Sequence, residues 1–311
     1  MAISFKCIKY FYLILHMIFV TGASGFVGKN LLTYLPRYDE NTKPLSRIDL
    51  FKNIDFDHSD AMIHLAGKAH DLKKASNPDE YYEVNFELTK KLYDAFLRSD
   101  AKKFIFVSSV KAAADVVEGI LTEETVPNPQ THYGKSKLMA EQYIQSQPLP
   151  EGKSYYILRP CMIHGPGNKG NLNLLYKFVQ KGIPYPLAAF ENKRSFLSVE
   201  NLCYVIKELL EKDVPSGVYN VADDDSLSTN EVVRILSESE GKKAKIWKVP
   251  ANFIRFVAKL GDAIKLPLNT ERLNKLTENY IVDNSKIKKA INSDLPISAK
   301  EGLKITANSF R

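Results

Sequence analysis

Tyr133 and Lys137 stand four residues apart in the stretch Tyr133-Gly134-Lys135-Ser136-Lys137. On a helix that spacing brings both side chains to one face, where an ammonium can act on a phenol. A phenol is a poor base at neutral pH, and a nearby positive charge favours its phenolate form and draws its pKa toward the working range. Ser108 and Ser109 follow the apolar run Lys103 to Val107. They fall at the carboxyl end of a buried strand, where open α/β sheets bind ligands and a hydroxyl can hydrogen-bond a reacting oxygen. The chemistry within reach is proton transfer at a carbon-bound oxygen.

Such a pair needs an element that presents a redox partner. Met17 to Gly28 reads as an apolar run that breaks into Gly22, Gly25 and Gly28 and leads into a helical pattern, with Ser24, Phe26 and Val27 between and beside the glycines. Glycine allows the tight turn, the approach of backbone to a pyrophosphate and the close packing of helix on strand, with the helix N-terminus facing the phosphates. The expected ligand is a dinucleotide, and the positive charge of an oxidised nicotinamide would add to that of Lys137 in favouring the phenolate.

After a first helix over Phe26 to Tyr34, buried-strand patterns recur at Ala61 to Ala66, Lys103 to Ser108, Ser154 to Leu158 and Gly217 to Val221, with helical patterns between them. Between Gly28 and Ala61 there is space only for abbreviated strands near Lys43 to Leu45 and Leu50 to Phe51. Alternating strands and helices predict right-handed parallel βαβ units, hence a Rossmann-type doubly wound α/β sheet. Beyond Arg159 the pattern loosens into Gly/Pro-rich loops suited to a smaller substrate-binding lobe. Ser228 to Glu231 matches a capping box and opens a helix to about Glu240, and Ala251 to Lys265 is amphipathic. The expected organisation is a dinucleotide-binding domain over 17–160 and a C-terminal lobe over 161–311, partly interleaved with the sheet.

Composition narrows the class. The chain has 311 residues, 44% hydrophobic and 25% charged, which is ordinary for a globular protein and excludes disorder. Its net charge of +7 is spread along the chain, and the clusters Lys242 to Lys248 and Lys286 to Lys289 read as solvated faces, so no nucleic-acid partner is expected. Three scattered cysteines and six histidines without ligand spacing give neither a disulfide framework nor a metal site, in keeping with the cytoplasm. Phe11 to Val20 with upstream Lys6 and Lys9 superficially resembles a signal peptide or short anchor. It is too short to span a membrane, and cleavage near Ala23 would cut the glycine loop. Met1 to His16 is therefore expected to be a non-structural extension, with no membrane insertion.

Taken together, Thr21 to Gly28, His64-Leu65-Ala66-Gly67, Val84-Asn85, Ser108-Ser109-Val110, Tyr133 with Lys137, and Leu158-Arg159-Pro160 resemble the extended short-chain dehydrogenase/reductase family, in its NAD-dependent epimerase/dehydratase branch. The resemblance runs from Met17 to near the C-terminus. It implies that Tyr133 is the acid/base, that Lys137 holds the nicotinamide ribose and tunes Tyr133, and that Ser109 hydrogen-bonds the sugar oxygen, with Ser108 as the fallback. Leu65, Ala66, Gly67, Asn85 and Lys137 would line the cofactor. Asn171, Arg194 and Arg272 would hold a nucleotide diphosphate, guanidinium groups being suited to phosphate oxygens. A homodimer through the helix from Tyr133 to Gln145 is also implied by the resemblance alone.

Dehydratases of the family carry an acidic pair just after the catalytic hydroxyl residue, where this chain has Val110 and Lys111. Loss of water is therefore not expected. A reductase of a nucleotide 4-keto-sugar and a 4-epimerase remain. The segment Asn192 to Leu202 looks like the surface-polysaccharide branch, which includes UDP-glucose 4-epimerase-like proteins and reductases that make UDP-N-acetylquinovosamine. A UDP-sugar is the expected substrate, first a 4-keto-6-deoxy N-acetylhexosamine. The second strand ends in Ser46-Arg47 where an NAD site has an acid, which suits the 2′-phosphate of NADP, although Asp49 two residues on could restore an NAD site. Some relatives keep the fold and lose the chemistry, but they lack the tyrosine or lysine. The presence of Tyr133, Lys137 and a serine points to an enzyme, with a non-catalytic NAD(P)-binding protein as the alternative.

Overall fold

The computed structural model describes residues 17–38, 41–46, 49, 59–68, 77–168, 170–264 and 269–310. Six strands form one fully parallel sheet: β1 (Met17–Thr21), β2 (Asn41–Leu45), β3 (Ala61–His64), β4 (Lys103–Val107), β6 (Ser154–Pro160) and β9 (Gly217–Val221), in the order β2-β1-β3-β4-β6-β9. The middle positions of β1, β3, β4 and β6 are apolar because both faces are covered, as parallel sheets require, while Thr21, His64, Lys103 and Arg159 stand at or near the strand ends. Ile18, Val20, Ile63, Ile105 and Leu158 point into one core. Their neighbours Phe19, Met62, Phe104, Phe106 and Ile157 point into another on the opposite face. The alternation follows from the two-residue period of a strand.

Helix α1 (Phe26–Tyr34) follows β1, and α2 (Pro78–Tyr82) runs through a wider π turn into α3 (Leu88–Arg98). Helix α4 (His132–Ser146) carries Tyr133 and Lys137, one residue longer at each end than the sequence pattern. The expected strand at Leu50 to Phe51 lies outside the described residues, as do Met1 to His16.

The C-terminal half builds a lobe around its own core of Leu172, Tyr176, Tyr185, Leu187, Phe196, Leu236, Ile254 and Leu303. Its elements are β7 (Met162–His164), α5 (Asn171–Gln180), β8 (Arg194–Ser198), α6 (Val199–Glu211), β10 (Ser226–Leu227), α7 (Thr229–Ser239), α8 (Ala251–Ile264), α9 (Thr270–Thr277), β11 (Ile281–Val282), α10 (Ser285–Ile291) and α11 (Ala299–Asn308). Strand β11 pairs in parallel with β5 (Ile120–Leu121), which sits between β4 and α4 in the chain. The lobe is not a separate bead. Strand β9 completes the large sheet against β6, and α6 packs on α1.

Candidate active site

The glycine loop is built by collision avoidance. Gly22 has φ +69, a region that favours glycine, and a Cβ on it would lie 2.6 Å from the Ala66 nitrogen. A Cβ on Gly28 would lie 2.4 Å from the Gly22 carbonyl oxygen. Both positions therefore need glycine for α1 to start directly above β1. Gly25 forms the N-cap of α1 with no side-chain cap, so the amides of the first turn are left for a ligand. The loop after β3 is tied to β1 by Thr21, whose hydroxyl accepts from the Ala66 N–H (3.1 Å) and is 2.7 Å from His64 Nδ1. Burial and the nearby Lys137 charge push His64 down to about 3, which keeps it neutral as a bridge between Thr21 and Thr89. This cradle fits the phosphates of a dinucleotide.

Asn85 is fully buried, and its amide is committed to neighbours. Its side chain accepts from the Lys68 N–H (2.8 Å) and donates to the Lys68 carbonyl and to the Ser136 hydroxyl (both 3.1 Å). It thereby fastens the loop containing Leu65, Ala66 and Gly67 to α4. Gly67 closes this wall, since a Cβ there would come within 3.1 Å of Lys137 Nζ.

Ser46 follows the last residue of β2, opposite the end of β1. Its amide and hydroxyl both donate to the Asp49 carboxylate (2.8 and 2.7 Å), and its hydroxyl accepts from the Asp49 N–H (3.3 Å). Asp49 is thus engaged in a reciprocal cap with Ser46. Arg47 lies outside the described residues.

Tyr133 and Ser109 are brought together by a second glycine. Ser109 opens the short turn Val110–Ala112, its hydroxyl accepting from the Lys111 N–H at 3.2 Å. Gly134 lets α4 approach this turn, because a Cβ on it would sit 2.4 Å from the Lys111 carbonyl oxygen. The start of α4 is pinned by Thr131, which accepts from the Gly134 N–H at 3.1 Å. Asp115 in turn accepts from the backbone of Gln130 and Thr131.

Ser109 and Tyr133 are hydrogen-bonded through their side chains. Burial raises the Tyr133 phenol above its ordinary pKa, and the Ser109 hydrogen bond opposes this. The direction differs from the sequence expectation of a phenol drawn down toward neutrality, because desolvation outweighs the Ser109 hydrogen bond and the Lys137 ammonium is turned to the Val107 carbonyl. Lys137 is itself buried. Its ammonium donates to the Val107 carbonyl (3.0 Å), lies 4.7 Å from the centre of the Phe106 ring, and is pushed down to about 8 by burial, against the opposing pull of Glu141.

The two serines are distinguished by geometry. Ser108 donates to the Glu141 carboxylate in the interior, whereas Ser109 faces the cavity. That cavity, of about 240 Å³, is lined by Ser109, Lys111, Tyr133, Arg194, Glu278 and Tyr280 among others. Arg194 at the start of β8 pairs with Glu278 at 2.7 Å. The Lys111 ammonium donates to the Asp115 carbonyl (2.8 Å) and sits 4.4 Å from the centre of the Tyr280 ring. Glu278 and Tyr280 carry no sequence signal of their own and enter the wall through the pairing of the Tyr280 segment with Arg194 and a Tyr280 hydroxyl that donates to the Ala114 carbonyl. Arg272 is on the exposed face of α9 and is not among the cavity-lining residues, and Asn171 opens α5 with its side chain outside the described set.

Comparisons with known proteins place the chain in a family and a fold. The family described as "NAD dependent epimerase/dehydratase family" matches residues 18–222. A UDP-glucose 4-epimerase of Vibrio cholerae is 30% identical over 94% of this chain and 95% of its own. A GDP-6-deoxy-D-mannose reductase of Pseudomonas aeruginosa is 29% identical, covering 76% of this chain and 84% of its own. Among solved structures, RMD from Pseudomonas aeruginosa complexed with NADPH superposes with a TM-score of 0.74 at 23% identity, over 94% of this chain and 99% of that one.

Proposed function

The chain belongs to the NAD dependent epimerase/dehydratase family, and from that premise we propose that it is an NADPH-preferring reductase acting at C4 of a UDP-sugar. It is an NAD(P)-dependent nucleotide-sugar enzyme of the extended short-chain dehydrogenase/reductase type. The substrate we favour is a UDP-4-keto-6-deoxy-N-acetylhexosamine destined for surface polysaccharide.

The observation that carries this reading is the hydrogen-bonded Ser109–Tyr133 pair on the wall of a cavity that also holds Arg194 and Lys111. The glycine loop would hold the phosphates of a dinucleotide, whose nicotinamide would supply the hydride when bound. Tyr133, kept protonated by burial, can donate its phenolic proton to the carbonyl oxygen as that oxygen becomes a hydroxyl, which is the direction a reduction needs. Ser109 holds the same oxygen and orients the phenol. Lys137, beside Gly67, offers an ammonium to ribose hydroxyls, and Arg194, whose Nε and Nη2 are held by Glu278 here, would exchange that partner for the diphosphate. With Val110 and Lys111 after Ser109, the site has no carboxylate there to take a proton from carbon, so dehydration is disfavoured.

The preference for NADPH is supported by Ser46 at the end of β2 and by the engagement of Asp49 with it. A homodimer through α4 and a cytoplasmic location complete the proposal. Met139 stands 38% exposed on that helix, and Cys161 and Cys203 are free.

A second reading, a 4-epimerase with bound NAD, uses the same residues and is favoured by the near full-length similarity to the Vibrio cholerae epimerase. The deciding experiment incubates the protein with UDP-2-acetamido-2,6-dideoxy-4-hexulose and follows NADPH and, separately, NADH, with UDP-glucose and UDP-N-acetylglucosamine as non-keto controls. Stoichiometric NADPH oxidation with the keto-sugar alone is the expected outcome. Interconversion of a control sugar with its C4 epimer, without cofactor consumption, would replace the reductase by the epimerase.

A further inference from the structure

Helix α8 has two apolar faces, and among the described residues one is buried and the other is exposed. Ile254, Ala258 and Gly261, spaced by four and three residues, are buried against the lobe. Phe253, Phe256 and Leu260, spaced by three and four, form a second stripe that points outward, with exposures of 58%, 58% and 47%. Trp247, in the extended segment that leads into the helix, is 59% exposed. Arg255 and Lys259 lie on the remaining, polar side of the helix, also exposed. Residues 242–262 carry six Lys/Arg and a single acid, Asp262. The Asp262 carboxylate accepts from the Thr270 amide and hydroxyl at the start of α9, so its charge is turned toward a neighbouring helix end.

We infer that this face of the substrate lobe docks on an anionic lipid surface. Outward aromatic and leucine side chains beside a basic face are the arrangement of a helix that lies in a membrane interface. No helix among the described residues is long and apolar enough to cross a membrane, so the protein would lie on the bilayer. A second copy fits the face poorly, because an isologous contact would set the same basic residues against each other. An anionic headgroup layer neutralises them while the aromatic rings enter the acyl boundary. Helix α8 packs on α9, which is followed at once by the cavity residue Glu278, so docking would hold the catalytic cavity close to the lipid surface.

The test is co-sedimentation of the full chain with vesicles of phosphatidylcholine alone and of phosphatidylcholine with phosphatidylglycerol. The protein is expected to pellet with the anionic vesicles only and to be released by high salt. F253S/F256S is expected to weaken binding about tenfold, and K245E/K248E to abolish the preference for phosphatidylglycerol. Both variants should retain circular dichroism spectra and soluble UDP-sugar turnover, since neither touches the cavity. The segment before Met17 is present in every arm, so its contribution cancels in the ratio of variant to parent. Failure of the parent to bind either vesicle, or equal binding by F253S/F256S, would overturn the inference. So would a concentration-dependent dimer that F253S/F256S dissociates while vesicles are ignored, which would assign the face to a second copy.

Discussion

Arg159 and Glu141 form an ion pair enclosed between the central sheet and α4. The guanidinium of the β6 residue donates through Nε to both carboxylate oxygens (3.1 Å each) and through Nη2 to one of them (2.5 Å). Both side chains are essentially inaccessible, and Ser108 donates to the same carboxylate. The pair fixes α4 to the end of β6, and with it the relative positions of Tyr133 and the Ser108–Ser109 turn.

Removing one partner strands the other charge in the interior. Glu141→Ala is expected to cost about 3–5 kcal/mol, read as a shift of the urea midpoint, whereas replacing both residues by methionine should recover most of the loss. Equal destabilisation in the single and double variants would show that the pair matters for shape and not for charge.

Tyr133→Phe deletes the proposed proton donor and little else. Turnover is expected to fall by about 10²–10⁴-fold, the usual worth of a positioned acid or base, with nucleotide affinity nearly unchanged in a titration. Ser109→Ala should lose less and also change the pH dependence, because Ser109 is the group that opposes the upward pull on the phenol. Unaltered turnover in Tyr133→Phe would remove it from the chemistry.

The buried Lys137 ammonium titrates near pH 8 in the folded chain against an ordinary value of 10.5. The unfolded chain therefore binds the extra proton between these values, so stability contributed by this group rises with pH across that window and is lost as pH falls through about 8. Lys137→Met should be more stable than the parent at pH 7, with the advantage fading toward pH 10.5 in thermal melts, and should bind cofactor more weakly. A constant stability difference across that range would show that Lys137 is not depressed.

An acid placed at the end of β2 should change the cofactor. Ser46→Asp is expected to move the ratio of kcat/KM for NADPH over NADH toward NADH by about tenfold, through repulsion of a 2′-phosphate and a new acceptor for a ribose hydroxyl. An unchanged ratio would place the selectivity elsewhere in the loop.

Much of this site could be read from local sterics. Gly22 and Gly28 announced the loop because any Cβ there strikes backbone, and the limits of α1 follow from the same constraint. Tyr133, Lys137 and Ser109 were legible as a spacing on one helix and a serine after one strand. Two things were not. The far wall of the cavity, Glu278 and Tyr280, arrives from the other end of the chain and is held by a bridge to Arg194 and by a Tyr280 hydroxyl that donates to the Ala114 carbonyl. The direction of the Tyr133 shift depends on desolvation, which the assembled fold creates and a four-residue spacing does not encode. Lys111, noticed first as the absence of an acid, is a wall residue stacked on Tyr280.

Strand β9 gives the protein an order of birth. The edge of β6 stays open until Gly217–Val221 pairs with it, and the fully buried Tyr156, Ile157 and Leu158 lie on that edge. A nascent chain that has emerged only to Pro160 therefore displays an unfinished sheet, an adhesive surface that must be shielded while about sixty further residues leave the ribosome. The first five strands of the sheet and the C-terminal lobe are synthesised in sequence, but the sheet is closed only when β9, from the later half, reaches β6.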